Sequence, residues 1–319
     1  HRRIVLRAEP DWTADIDAVR VSAEGACHEF ALAAPGSHRY FKPVLIEGGQ
    51  SRWAAGGNAL LLARAHQPCD VYPHFDAHSH CSECELRQLS DAHGRSHRYR
   101  AFYPAGYHEN PLRRYPVLYM QDGQNLFFPG EAFGGQHWRI AETLRVLESM
   151  HAIEPVIVVG IYPNSREHDY TQPGYETYGR FVTEVLKPAI DTEYRTLSGA
   201  GHTAVMGSSL GGVVSLYLAW QYPEVFGMAA CLSSTFGWRD DLRERIAREP
   251  RRNVRVYLDS GWPRDNYEAT RDMRALLGQR GFAMGRDLHY LSFPEAHHDE
   301  RHWAMRAHIP FQYFFGQAT

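Results

Sequence analysis

Cysteine is scarce in this chain of 319 residues: five are present, an odd number that argues against an all-disulfide framework. Positive charge is not in excess either. Lys and Arg total 34 against 37 Asp and Glu, net −3, so the chain has no basic footprint for nucleic acid. Long hydrophobic runs are missing. The longest, such as residues 156–161, are far too short to span a bilayer, and no membrane partner is expected. A glycine-rich phosphate loop, an internal repeat and a long low-complexity segment are also absent. No leader peptide is readable, yet the chain opens on His1 rather than Met, which is compatible with a trimmed leader. The cytoplasm is favoured over secretion. The length suffices for one large α/β domain with a small second one.

What is present is concentrated around one segment. Thr203-Ala-Val-Met-Gly207-Ser208-Ser209-Leu210-Gly211-Gly212 is β-prone and apolar at its start. It runs straight into a helical pattern, Val213-Val-Ser-Leu-Tyr-Leu-Ala-Trp220. This is strand, sharp turn and helix around G-x-S-x-G, the nucleophile-elbow pattern of serine hydrolases. A serine on such a turn is crowded by the residues two before and two after it, and glycine relieves the crowding. Ser209 has Gly207 and Gly211 at those positions, whereas Ser208 would have Met206 and Leu210. Ser209 is therefore the expected nucleophile.

An alcohol needs a base, and the base needs an orienting acid. On this pattern they follow in the order Ser, Asp or Glu, His. Downstream, Asn253-Val-Arg-Val-Tyr-Leu-Asp259-Ser-Gly261 reads as a strand opening into a loop with Asp265. The next strand, Asp287-Leu-His-Tyr-Leu-Ser-Phe293, opens into Glu295-Ala-His297-His298-Asp299-Glu300-Arg-His302-Trp303. Position alone leaves Asp259 and Asp265 as candidate acids. It also leaves His297, His298 and His302 as candidate bases among 19 histidines, with His302 already inside the final helix. The oxyanion hole takes one N–H from the residue after the nucleophile, Leu210.

Four motifs in order resemble one family. These are Tyr115-Pro-Val-Leu-Tyr-Met-Gln-Asp122-Gly123-Gln124-Asn125-Leu-Phe, the helix Phe181-Val-Thr-Glu-Val-Leu-Lys-Pro188-Ala-Ile-Asp191, the elbow Gly207–Gly212, and His298-Asp-Glu-Arg-His-Trp303. Together, over about residues 80–316, they look like the putative esterase family of α/β-hydrolases. That family includes feruloyl and acetyl-xylan esterases, enterochelin esterases and S-formylglutathione hydrolase. The resemblance implies His298 as base, Asp265 as acid, and a second oxyanion N–H from Gly123 or Gln124. The loop departs from the commonest form by its inserted Trp262-Pro263. It also implies carboxylic ester hydrolysis through an acyl-enzyme, with no cofactor and no metal. The substrate would be a small acyl, feruloyl or sugar-linked ester.

The expected fold is a doubly wound, mostly parallel α/β-hydrolase sheet over residues 79–319, preceded by a small all-β sandwich over residues 1–78. Strands are expected at 85–90, 98–103, 116–120, 155–162, 203–206, 228–232, 254–259 and 288–293. Helices are expected at 138–150, 176–193, 210–221, 240–248, 266–279 and 300–315. In the first domain, strands are expected near 4–7, 18–21, 27–32, 40–45 and 58–62. It resembles early-set or carbohydrate-binding modules, and Trp12, Tyr40, Phe41 and Trp53 could form a sugar-stacking face. Aromatics filling a small core is the preferred reading. The cluster His74-Phe-Asp76-Ala-His78-Ser-His80-Cys81-Ser-Glu-Cys84 has zinc-like ligand types, but one such cluster does not outweigh an ordinary linker.

Phe127, Phe128, Phe133, Trp138, Phe236, Trp238 and Trp262 fall in loops or helix starts near the expected active edge. Of these, Phe127, Trp138, Phe236 and Trp262 are the candidate substrate contacts, with core packing as the alternative. Short loops imply an open cleft without a large lid. Rival readings are acyl transfer on the same fold, and a carbohydrate-binding protein with an inactive hydrolase domain. A glycosidase would need a carboxylate pair across a cleft, and Asp259, Asp265, Glu295 and Asp299 offer no clear pairing.

Overall fold

The computed structural model describes residues 2–63, 68–76 and 84–316. They form two compact units. The first gathers the N-terminal residues with Pro104–Arg113 and Glu148–His151, and the second holds the rest.

The strands of the first unit are β1 (Arg2–Ala8), β2 (Asp11–Asp17), β3 (Arg20–Val21), β4 (His28–Glu29), β5 (His38–Glu47), β6 (Gln50–Trp53) and β7 (Ala59–Leu62). They make an antiparallel sheet in the order β2-β1-β5-β6 with β7 also on β5, and β3 and β4 form a separate ribbon. Leu6, Ala8 and Phe41 are buried on one face, with Ile16, Phe30 and Leu61 packed against them. The expected strand at 18–21 is a two-residue ribbon, and the long strand is β2 instead. The sequence of β2, DWTADID, alternates Trp12, Ala14 and Ile16 with polar residues, the period of a strand, and it lies at the exposed edge of the sheet. Its carboxylates are matched to β1: Asp15 accepts from both Arg3 and Arg7, and Asp17 from Arg3.

The four aromatics weighed as a sugar-stacking face do not share one face. Successive residues on a strand point to opposite sides, so Phe41 is in the core while Tyr40 is half-exposed. The Trp12 and Trp53 rings lie 6.3 Å apart, with the Arg7 guanidinium 5.3 Å from the Trp53 ring centre. Of the His/Cys cluster, His78, His80 and Cys81 lie outside the described residues.

The second unit carries β8 (Leu86–Ser90), β9 (Ser96–Phe102), β10 (Val117–Met120), β11 (Ile157–Ile161), β12 (Thr203–Ser208), β13 (Met228–Leu232), β14 (Arg255–Trp262) and β15 (Leu288–Pro294). The sheet order is β15-β14-β13-β12-β10-β11-β9-β8. All pairs from β15 to β11 are parallel, and only the β9 and β8 pairings are antiparallel. This is the α/β-hydrolase sheet. Every residue of β10, β11, β12 and β13 is buried, as expected of parallel strands covered on both faces. The strand order reverses at β10, which lies between β11 and β12, so the loops after β10 and β12 open beside each other at the carboxyl edge.

The helices are α1 (Ile140–Ser149), α2 (Arg166–Asp169), α3 (Gly174–Arg180), a π-helical turn Phe181–Leu186, α4 (Lys187–Glu193), α5 (Leu210–Gln221), α6 (Leu242–Arg248), α7 (Tyr267–Gln279), α8 (Glu300–Arg306) and α9 (His308–Phe315). Two of the expected single helices are interrupted, each for the same reason. The wide π turn ends two residues before Pro188, whose ring and missing N–H do not fit an ordinary helical turn. The final helix breaks at Ala307, because Pro310 would crowd the Arg306 carbonyl in a continuous helix. Helix α2, too short to show periodicity, was not expected. Among the described residues no helix is long and apolar enough to cross a membrane.

Candidate active site

Ser209 follows β12 and precedes α5 with φ 56° and ψ −123°, a left-handed region that a non-glycine residue adopts only under constraint. The constraint is the closeness of strand and helix. A Cβ on Gly207 would lie 2.5 Å from the carbonyl carbon and oxygen of Gly211, so only glycine permits this turn. One on Gly211 would lie 3.1 Å from Gln121 Cβ, where the loop after β10 passes the start of α5. The backbone N–H of Ser209 is tied to the Leu232 carbonyl at 2.9 Å, which fixes the residue from the neighbouring strand.

Three of the residues expected from the sequence are brought together. His298 Nε2 lies 3.0 Å from Ser209 Oγ, and His298 Nδ1 lies 2.7 Å from Asp265 Oδ1. The Asp265 side chain has no exposure and that of His298 is 35% exposed, so the chain of contacts runs from the interior towards solvent. The His298 and Trp303 rings meet edge to face, with centres 4.9 Å apart and planes at 82°. The other two histidines are placed otherwise. His302 donates from its backbone N–H to Asp299 and holds the same carboxylate through Nδ1, while the His297 ring lies 5.2 Å from that of His302.

Asp265 accepts from the Gly261 N–H at 2.7 Å, the Asn266 N–H at 2.8 Å and the hydroxyl of Ser233. Burial alone would push its carboxyl up, but the bonds from His298, Ser233, Gly261 and Asn266 outweigh burial and hold it well below the usual carboxylate range. Asp259, the other candidate acid, is fully buried and spent elsewhere. Arg306 pairs with it at 3.0 Å and the Tyr257 hydroxyl donates to it at 2.8 Å, while burial pushes its carboxyl up.

The opposite side of the site is the turn after β10. Asp122 also takes a left-handed conformation, φ 55°, and begins a 3₁₀ turn over Gly123–Asn125. Arg166 of α2 clamps its carboxylate with two bonds of 2.9 Å, and its N–H goes to the Tyr170 hydroxyl at 3.0 Å. Among the described residues, the N–H groups of Leu210, Gly123 and Gln124 have no acceptor, as first-turn amides do not. A Cβ on Gly123 would lie 2.6 Å from the Gly160 carbonyl carbon, so the turn packs directly on β11. Glu300 at the start of α8 accepts from Asn125 Nδ2 at 3.0 Å and from the Trp138 indole N–H. Burial raises its carboxyl to about 7.

The candidate substrate contacts divide. Phe127, Trp138 and Phe236 are buried and serve packing, with Trp138 also 6.1 Å from Trp303. Trp262 is exposed, as are Phe128, Phe133 and Trp238. Arg166, Glu300, Ser233 and Arg306 were not singled out from the sequence. Glu300 alone left a signal, as the third residue of the His298–Trp303 motif; the others reach the site by tertiary contact.

The family described as putative esterase matches residues 90–306. Among individual relatives, the uncharacterized protein YjcH of Bacillus subtilis is 35% identical over 132 residues, which cover 40% of this chain and 50% of that protein. The chain thus spans about half the length of this relative. A solved ferulic acid esterase superposes with a TM-score of 0.62 at 16% identity, covering 72% of this chain and 96% of the other. The enterobactin esterase of Shigella flexneri, solved in the presence of 2,3-dihydroxy-N-benzoyl-glycine, has a TM-score of 0.59 at 16% identity, covering 98% and 88%. At such identities the likeness to the solved structures is one of fold. The family match, by contrast, runs from the end of β8 to the end of α8, well over half of the chain, and this protein belongs to the putative esterase family.

Proposed function

We propose that this protein is a serine carboxylic ester hydrolase in which Ser209 is the nucleophile, His298 the base and Asp265 the acid. The observation that carries the reading is the continuous contact from Ser209 Oγ to His298 Nε2 at 3.0 Å and from His298 Nδ1 to Asp265 at 2.7 Å. Ser209 Oγ attacks the ester carbonyl as His298 Nε2 takes its proton. The charge forming on the carbonyl oxygen is met by the N–H groups of Leu210 and of Gly123 or Gln124, which are held in place before any substrate arrives. The tetrahedral centre collapses, and His298 gives the proton to the departing alcohol. Water then attacks the acyl-enzyme, His298 takes a proton from it, and the carboxylic acid leaves as the proton returns to Ser209. Asp265 stays ionised throughout and faces the imidazolium each time it forms.

For the substrate, we infer a small acyl, feruloyl or sugar-linked ester. Support comes from the two solved relatives by fold, named for ferulic acid and enterobactin, and from the exposed rings of Trp262 and Trp238. The test is a panel of p-nitrophenyl acyl esters, methyl ferulate and acetylated sugars, with a fluorophosphonate probe in parallel. One label at Ser209 and turnover of at least one ester class are expected. Labelling at another residue, or no turnover of any ester by a labelled protein, would refute the reading.

A further inference from the structure

We propose that Ser233 is a positioning residue for the triad acid: its buried hydroxyl, held by Trp303 and Arg306 of α8, locks Asp265 with Oδ1 aimed at His298. This deepens the reading of Ser209, His298 and Asp265 as a triad and rests on it. A hydroxyl has one proton to give and two lone pairs to receive with. At Ser233 both lone pairs are taken, by Trp303 Nε1 at 2.9 Å and Arg306 Nη2 at 2.7 Å. The hydroxyl proton therefore has one direction left, towards Asp265 Oδ2, and it is there that the bond is made.

The serine is itself fixed. It is fully buried, its backbone is left-handed at φ 46°, its N–H goes to the Asp259 carbonyl at 2.7 Å, and its carbonyl accepts from Asn266 Nδ2 at 2.8 Å. Arg306 cannot replace it directly, since Nη2 is 3.9 Å from Asp265 Oδ2, beyond hydrogen-bond reach. The guanidinium, already paired with Asp259, acts on the acid through the hydroxyl. The charged and titratable groups around Asp265 are thus His298 on one side and Arg306 with Asp259 on the other. Trp303 touches both ends, bonding to Ser233 and packing at a right angle to the His298 ring. The depressed proton affinity of Asp265, to which Ser233 contributes, agrees with this arrangement.

The experiment compares Ser233→Ala, Ser234→Ala and Asp265→Asn in the full chain, with p-nitrophenyl acetate as the probe and fluorophosphonate titration counting active sites. Ser234 is the matched control. It is equally buried, and its hydroxyl has no partner among the described residues. Loss of a hydrogen bond to a charged group corresponds to a fall of roughly 10- to 100-fold in kcat for Ser233→Ala. KM is expected to stay near that of wild type. With the lock gone, Asp265 no longer faces the imidazolium squarely and stabilises it less, so the acid limb of kcat/KM moves to lower pH. Ser234→Ala is expected to match wild type in both. An unmoved acid limb, or a kcat within twofold of wild type per titrated site, overturns the proposal. If Ser233→Ala does not fold, Ser233→Cys, with its weaker donor, is judged by the same two readouts. Asp265→Asn separates the two levels: a wild-type rate there would remove the triad reading itself, whatever Ser233 does.

Discussion

Asp265 Oδ1 stands 2.7 Å from His298 Nδ1, while Asp259, six residues earlier and equally buried, is bound to Arg306 and Tyr257. The two carboxylates sit on one strand-loop segment and do different work. Asp265→Asn is expected to lower kcat by about 10⁴ with the fold retained. Asp259→Asn leaves the buried Arg306 cation without its counter-charge and is expected to cost about 3–5 kcal/mol of stability. Measuring kcat and a melting curve for each decides between them. A folded, fully stable Asp259→Asn with a crippled rate would transfer the acid role to Asp259.

Ser208 and Ser209 are neighbours in sequence but not in surroundings. Ser208 is the last residue of β12, whereas Ser209 occupies the turn within reach of His298. Ser209→Ala is expected to lose on the order of 10⁶ in kcat, and Ser208→Ala to keep most of its rate. Steady-state kinetics on one activated ester suffices, and reversed phenotypes would reject the nucleophile.

Gly207→Ala tests the elbow as a steric device. Its new Cβ would lie 2.5 Å from the backbone of Gly211, which no side-chain rotation relieves. A loss of about 1–3 kcal/mol is expected from urea unfolding, as for other overpacked sites, together with lower activity. Unchanged stability would mean that strand and helix separate easily here.

Glu300 gives a pH signature. Its carboxyl is raised by burial from 4.5 to about 7 in the folded protein. A group with a raised folded value binds its proton more tightly when folded. Its contribution is whole below about pH 4.5 and is lost as pH rises through about 7. Glu300→Gln cannot titrate, so the melting temperature of wild type minus that of the variant is expected to fall between those pH values. A constant difference across that window would contradict the raised carboxyl.

The amino-acid sequence by itself determined the sheet, the elbow and the placing of Ser209 on its turn. Local chemistry suffices for these: apolar runs make buried strands, and glycines two before and two after a serine make one turn possible. It determined the break-prone helices less well, because Pro188 and Pro310 act on carbonyls of the preceding turn rather than on their own neighbours. The edge strand Asp11–Asp17 carries its period-2 signal in Trp12, Ala14 and Ile16, but the charges that pair it, Arg3 and Arg7, belong to another strand. Position left His297, His298 and His302 open and the resemblance singled out His298, which the structure brings to Ser209; only the tertiary structure decided that Phe127, Trp138 and Phe236 pack inward while Trp262 faces solvent. It alone joined Ser233 and Arg306 to Asp265, and Arg166 to Asp122, across separations of 32 to 73 residues. Periodicity and motif report which element a residue lies on; which side chains meet across elements depends on strand order and helix placement, which no local pattern encodes.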